Sequence, residues 1–315
     1  MKPFKFDVGK DQVQISIFVD PNQPFAVLRD ARRLYRALYG RADFKLVARA
    51  FRLTKRLYEG RYPGYLACAV DYHDFTHSIA VFAAASRILD GCELTGISLG
   101  PALAGEVLVA AMLHDTGYIR TENDTGGTGA QFTKIHVDRS LDFTLREAEA
   151  FGLDQASAAR ISRMILGTDL ARSWDKLVFE SEQERIAAEI LATADLLGQM
   201  ADRMYLEKLL FLYYEFREAG IGGYNCAFDI LKKTVEFYAS TKNKLDITLG
   251  RVSQTMKEHF SARYGVPRDL YRDAIANHMA YVQAIIADDS ANFRTKLRRS
   301  DGFCRTGKIP EMMDY

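Results

Sequence analysis

The chain has 315 residues, 48% of them hydrophobic, and its 42 basic and 41 acidic side chains leave a net charge of +1. That length and composition allow a large buried core, and the near-neutral balance gives no electrostatic case for a nucleic-acid or membrane partner. The four cysteines, Cys68, Cys92, Cys226 and Cys304, have no CxxC spacing, so no thiolate metal site is expected, and they read as reduced thiols.

Residues 1–14 lack the apolar stretch of a signal peptide, and no segment approaches the run of about 18 apolar residues that a membrane span needs, so a cytoplasmic protein is expected. A small β hairpin is predicted over 4–19. Phe4 and Phe6 alternate with Lys5 and Asp7, Gly9-Lys10 can turn, and Val13, Ile15 and Ile17 alternate again. After Pro24 the pattern is helical. Asp43 can cap a helix bearing Phe44, Val47, Phe51 and Tyr58 and stopped by Gly60. An alanine-rich helix runs from Thr76 to Leu89, ending before Gly91, and a strongly apolar one runs from Ala102 to Leu113. Further helices are predicted over 137–151, 154–166, 181–200, 203–219, 225–240, 246–263 and 268–288. Ser181 followed by Glu184 has capping-box spacing, and Gly152, Gly220 and Gly265 suit helix C-termini. The glycine-rich segment 117–132 has neither a preceding strand nor a following Gly-Lys-Ser/Thr, so it reads as a surface loop able to wall a cleft. The expected organisation is an all-α fold: a hairpin over 1–22, one helical domain over 23–290 and a tail over 291–315.

The chemistry concentrates in Tyr72-His73-Asp74-Phe75-Thr76-His77, in His114-Asp115 and in Asp195, which between them hold three of the six histidines. His73 and His77 are four residues apart and on a helical turn would face one site. His114 and Asp115 close an apolar helix, where the relaxed geometry of a helix end lets both converge. Asp195 lies among Ile190, Leu191, Ala194, Leu196 and Leu197, where a carboxylate is costly to bury unless it is paired or binds a cation. Each residue alone is weak evidence, since a helical histidine is more often a core or surface residue than a ligand. Together, imidazoles and carboxylates in separate segments suit one or two divalent metal ions: zinc, iron or manganese at a His/Asp site, magnesium or manganese at a carboxylate–water site.

These segments carry a resemblance. Tyr72-His73-Asp74-Phe75-Thr76-His77-Ser78-Ile79-Ala80-Val81 is similar to the YHNxxHAxDV signature of the HD-domain metal-dependent phosphohydrolase superfamily, and within it of the class I cyclic-nucleotide phosphodiesterases. Leu113-His114-Asp115 matches the second motif, Met164 to Leu170 looks like the ILATDL segment, and Ala192-Thr193-Ala194-Asp195-Leu196 resembles the stretch bearing the last metal-binding aspartate. The likeness runs from about residue 70 to 290 and implies an HD/phosphodiesterase-like helical bundle. It implies that His77, His114, Asp115 and Asp195 ligate a first metal, that Asp115 bridges to a second, and that His73 protonates the leaving oxygen. It also implies that His136 lines the second-metal side of the pocket. Asp74 or another nearby carboxylate would orient His73.

The departures are Asp74 for the signature's asparagine, Ala80 for its aspartate, Ser173 for a later histidine, and His278-Met279-Ala280-Tyr281 where the family has QxxF. His278 and Tyr281 would then contact substrate without the glutamine's two-way amide. The reaction this implies is hydrolysis of a phosphoester by metal-activated water, on a cyclic nucleotide or related small phosphodiester. The alternatives are a phosphomonoesterase or nucleotidase on the same metal core, and a non-catalytic nucleotide-binding module, which should lack a metal ligand.

Overall fold

The first described helices show how the chain builds its layers. The computed structural model describes residues 13–18, 20–288 and 293–297. Helix α1 (Pro24–Tyr39) starts on a proline and buries Val27, Ala31, Leu34 and Tyr35, one stripe at helical spacing. In α2 (Lys45–Tyr58) the Asp43 carboxylate accepts the Lys45 N–H at 2.8 Å, and Val47, Phe51, Thr54 and Tyr58 form the buried side. These amphipathic helices cover a different kind of element. Both α3 (Phe75–Leu94) and α4 (Gly100–Leu113) are buried almost all round, so they are the core rather than its cover. Helix α3 packs against α1, α4, α8 and α12, and α4 also packs against α2, α7 and α8.

The remaining helices are α5 (His136–Arg146), α6 (Ala148–Phe151), α7 (Gln155–Leu166), α8 (Glu182–Met200), α9 (Tyr205–Glu218), α10 (Ala227–Asn243), α11 (Gly250–Ser253), α12 (Met256–Tyr264), α13 (Leu270–Ala287) and α14 (Phe293–Lys296). No described residue lies in a β-strand, and one isolated antiparallel bridge joins Tyr65 to Thr121. No helix of the described residues is long and apolar enough to cross a membrane. Cys68, Cys92 and Cys226 are free thiols, and Cys304 lies outside the described residues.

Several expectations need correction. The second arm of the hairpin is not a strand: Ile15–Ile17 form a 3-10 turn. Val13 and Ile15 are indeed buried, but Ile17 is exposed, because the chain curls where Arg268 and Arg87 donate to the carbonyls of Val13 and Phe18. The first arm falls outside the described residues. Helix α3 does not stop before Gly91 but runs through it to Leu94. A Cβ at Gly91 would lie 2.2 Å from the Thr255 carbonyl oxygen, so the glycine serves close packing of the segment before α12 instead of a helix end. The stretch 246–263 is broken into a π-helical turn (Lys244–Thr248), α11 and α12. Ser181 caps α8 through the Glu184 N–H at 3.1 Å, but the Glu184 carboxylate pairs with Arg163 and does not return to the cap. Gly152, Gly220 and Gly265 do end helices, with φ of 80°, 60° and 68°. The start of the expected tail folds onto the domain, with Phe293 and Leu297 buried.

Two features of α3 matter for function. At its first turns α8 crosses it closely: a Cβ at Gly198 would stand 3.0 Å from the Val81 nitrogen, and Ala80 is the small residue beneath it. In its C-terminal half α3 carries a buried charge network. Asp90 accepts from His259 Nδ1–H at 2.7 Å and from Arg263 Nε at 2.9 Å, and Arg87 donates to the Tyr271 hydroxyl at 3.1 Å. Burial pushes the His259 proton affinity down, which leaves Arg263 as the cation balancing Asp90. Replacing Asp90 by alanine removes the carboxylate that His259 and Arg263 share in the core, so Asp90→Ala should lower unfolding free energy by about 3–5 kcal/mol in a urea titration. A loss under about 1 kcal/mol would show that water reaches the network.

Candidate metal centre

The site is built from the ends of the two core helices and from α8. Asp74 adopts an extended backbone and caps α3, its Oδ1 accepting the N–H groups of Thr76 at 2.9 Å and His77 at 3.1 Å. His77 therefore sits in the first turn of α3. His114 is the C-cap of α4, and Asp115 follows with φ −111° as the chain turns into the 3-10 segment Thr116–Tyr118. Asp195 projects from α8 beside the Gly198 crossing.

The four groups converge. His77 Nε2 lies 3.2 Å from His114 Nε2, 3.2 Å from Asp115 Oδ2 and 3.3 Å from Asp195 Oδ1. His114 Nε2 lies 3.3 Å from Asp115 Oδ2 and 3.7 Å from Asp195 Oδ1. The first three residues are buried, and Asp195 is partly exposed. A metal with ligands at about 2.0–2.2 Å keeps neighbouring donor atoms roughly 3.0–3.5 Å apart, so the spacing fits. Two observations fit a cation bound at this point. Asp115 Oδ2 is within ion-pair reach of both imidazoles yet is buried with no hydrogen bond of acceptable geometry. His114 Nδ1–H donates to the Ala111 carbonyl at 3.0 Å, which leaves Nε2 as the free donor atom aimed at His77 Nε2. Residues His77, His114 and Asp115 thus form a buried group that can hold a metal ion.

Electrostatics agree with that reading. Burial lowers the proton affinity of His77 and His114, but the facing carboxylates of Asp115 and Asp195 outweigh it and raise both. Burial likewise opposes ionisation of Asp115 and Asp195, and the imidazoles hold both below the ordinary carboxylate range. The two carboxylates thus share charge with the two imidazoles in a largely dry site, and a divalent cation would take the place of the imidazole protons.

The other expected residues divide. His73 is not on the helix with His77, because Asp74 caps α3 between them; it reaches the same cavity from the non-helical segment before the cap. Its ring is 5.8 Å from that of His77. Asp74 does not orient it, since that carboxylate is committed to the helix end. Glu215 of α9 does: His73 Nδ1–H donates to Glu215 Oε2 at 2.6 Å, and the other oxygen accepts the Tyr72 N–H at 2.7 Å. Spacing cannot find Glu215, which is 142 residues away; its only signal is a carboxylate on a mostly apolar helix. Sequence reasoning also misses Tyr118. Its ring stacks on His73 at 4.3 Å and 9° and on His136 at 4.6 Å and 24°. His136 is at the site, its Nδ1–H bonded to the Thr133 carbonyl at 2.6 Å and its Nε2 3.6 Å from Asp115 Oδ1. Burial pushes its proton affinity down.

Two expected residues fail: neither His278 nor Tyr281 lines the cavity over the cluster. His278 is buried behind the cavity wall, its Nδ1–H bonded to the Met200 carbonyl at 2.9 Å and its ring 6.1 Å from Tyr205, and it lines a separate cavity beside Arg268. Tyr281, one turn further along α13, is exposed, and its hydroxyl donates to the Lys296 carbonyl at 2.5 Å. Helix α13 exists as expected but turns these residues away from the His/Asp cluster.

The cavity over the cluster has a volume of about 420 Å³, within the range of small-molecule sites. Of the glycine-rich segment 117–132, Tyr118 lines this cavity; Thr133, which also lines it, follows the segment. Residues 121–245 match a family described as Npun_R2479-like, a span that contains His136, Asp195 and Glu215 but not His73, His77, His114 or Asp115. Neither the curated proteins nor the solved structures give a match.

The centre makes a direct prediction. Divalent metal should raise the melting temperature of the wild-type protein, by an amount equivalent to about 2.7 kcal/mol at a hundred times Kd. Asp115→Ala should abolish both that shift and the bound metal measured by elemental analysis, while retaining the helical circular dichroism spectrum.

Proposed function

We propose that this protein is an HD-type metal-dependent phosphohydrolase that cleaves a phosphoester. The observation that carries the reading is the convergence of His77, His114, Asp115 and Asp195 beside the His73–Glu215 pair, on one cavity. Those four residues would hold a first divalent ion, zinc, iron or manganese by the chemistry of the donor set. His136 and Asp115 stand on the side where a second ion, magnesium or manganese, would bind. When bound, such an ion supplies Lewis-acid chemistry, acidifying water and offsetting charge on phosphoryl oxygens.

The chain's own residues would do the rest. Asp74 fixes the first turn of α3 and hence His77, and the Ala111 carbonyl fixes the tautomer of His114. Glu215 holds His73 through Nδ1, leaving Nε2 to exchange a proton with the leaving oxygen. Tyr118 supports that ring from one face. A non-catalytic module would be expected to lack a ligand, and the convergence of all four favours the enzyme. The nucleotide part of the sequence reading loses its residue support, because His278 and Tyr281 lie off the cavity.

The test is hydrolysis by metal-loaded protein of bis(4-nitrophenyl) phosphate and 4-nitrophenyl phosphate, alongside alkyl esters. Turnover of at least one ester is expected. His73→Ala and Glu215→Gln should retain metal and lose about 10²–10⁴ in kcat on alkyl esters. The loss should be smaller with 4-nitrophenolate, a leaving group that needs no proton. Metal-loaded protein that cleaves no ester of either kind would sink the reading.

A further inference from the structure

The cavity has two unlike ends. Near the cluster it is lined by histidines, Asp115, Asp195 and Gln199, and the Gln199 side chain is held there by the Tyr72 hydroxyl at 2.9 Å. The part built by α9 and α10 is apolar. Leu209, Leu212 and Phe216 recur at i, i+3 and i+7 on α9, and Tyr224, Ile230 and Phe237 complete that wall. The Thr234 hydroxyl beside it is already engaged, donating to the Ile230 carbonyl at 2.8 Å. The Lys233 ammonium stands over the Tyr224 ring at 4.3 Å. Leu170 and Ile135 also line the cavity while remaining 54% and 49% exposed, interspersed with the polar Lys134, Asp138 and Asp169.

Resting on the phosphohydrolase reading for where the phosphate sits, we infer that the organic part of the substrate is an apolar alkyl or aryl group. The substrate class is the phosphoester of a hydrophobic alcohol, not of a nucleoside. A nucleobase carries donors and acceptors along its edge, and burying them against leucine, isoleucine and phenylalanine side chains costs affinity. An alkyl or aryl group has nothing to satisfy and gains by leaving water. The apolar wall also adjoins the residue that orients the proton donor, since Phe216 directly follows Glu215.

The test is calorimetric titration of the metal-loaded full chain with n-alkylphosphonates from methyl to octyl, and with a nucleoside phosphonate. Affinity should rise about threefold to fourfold per added methylene until the chain outgrows the cavity, and octylphosphonate should bind more tightly than the nucleoside phosphonate. The double variant Leu212→Asp, Phe216→Asp should flatten the series. If that variant does not fold, Leu170→Asp at the exposed mouth should flatten it for the longest chains. A flat wild-type series, no binding, tighter binding of the nucleoside phosphonate, or an undiminished slope in the variants overturns the inference. Binding is read without turnover, so a rising series with no ester cleaved would count against the hydrolase reading and leave the apolar site standing.

Discussion

The structure depends on bringing two carboxylates and two imidazoles to one point inside a helical core. Left to themselves, such groups would stay in water: desolvating a carboxylate costs several kcal/mol even after relaxation. Here Asp115 and Asp195 are held within 3.2–3.7 Å of His77 and His114. The arrangement is imposed by backbone elements that cannot yield easily. The N-terminus of α3 and the C-terminus of α4 are the buried ends of two helices that are buried almost all round, and α8 is packed closely against α3 at Gly198. Rigid anchoring of this kind is the preorganisation a metal centre needs.

Helix α3 is fixed at both ends by charge. Its first turn carries the Asp74 cap and His77, and its last turns carry Asp90, whose partners on α12 balance it within the core. Between those points it is almost wholly apolar. Sliding or rotating such a helix would break a buried ion pair at one end and misplace a ligand at the other. The network around Asp90 thus fixes the register of the site although it lies well away from the cavity.

What the sequence reveals follows from how local each feature is. The His-Asp pair closing an apolar helix and the aspartate in an apolar stretch are visible because a polar group stands out against its own neighbours. The helices from α2 to α10 are legible for the same reason, through their periodicity and caps, although 137–151 reads as one helix where the structure has α5 and α6. Asp74 is easily misassigned because adjacency to His73 suggests a partner, while its carboxylate is committed to the N–H groups of the next turn. Glu215 escapes notice because its relation to His73 exists only in three dimensions. Gly91 looks like a stop signal, but its reason is a neighbour 164 positions later. His278 and Tyr281 do lie on the expected helix, and the direction in which that helix faces depends on packing that periodicity does not encode.

Glu215 links the two halves of the cavity. One oxygen holds the His73 ring and the other holds the backbone at Tyr72, so the segment before α3 is tied to α9 at two atoms. The next residue, Phe216, belongs to the apolar wall. Under the proposed reading, the helix that orients the proton donor is therefore also the helix that receives the organic part of the substrate. A group that seats well against Leu212 and Phe216 holds α9 in place, and with it the carboxylate that sets the His73 ring. Substrate fit and proton transfer are then coupled through one rigid element, with no moving part required.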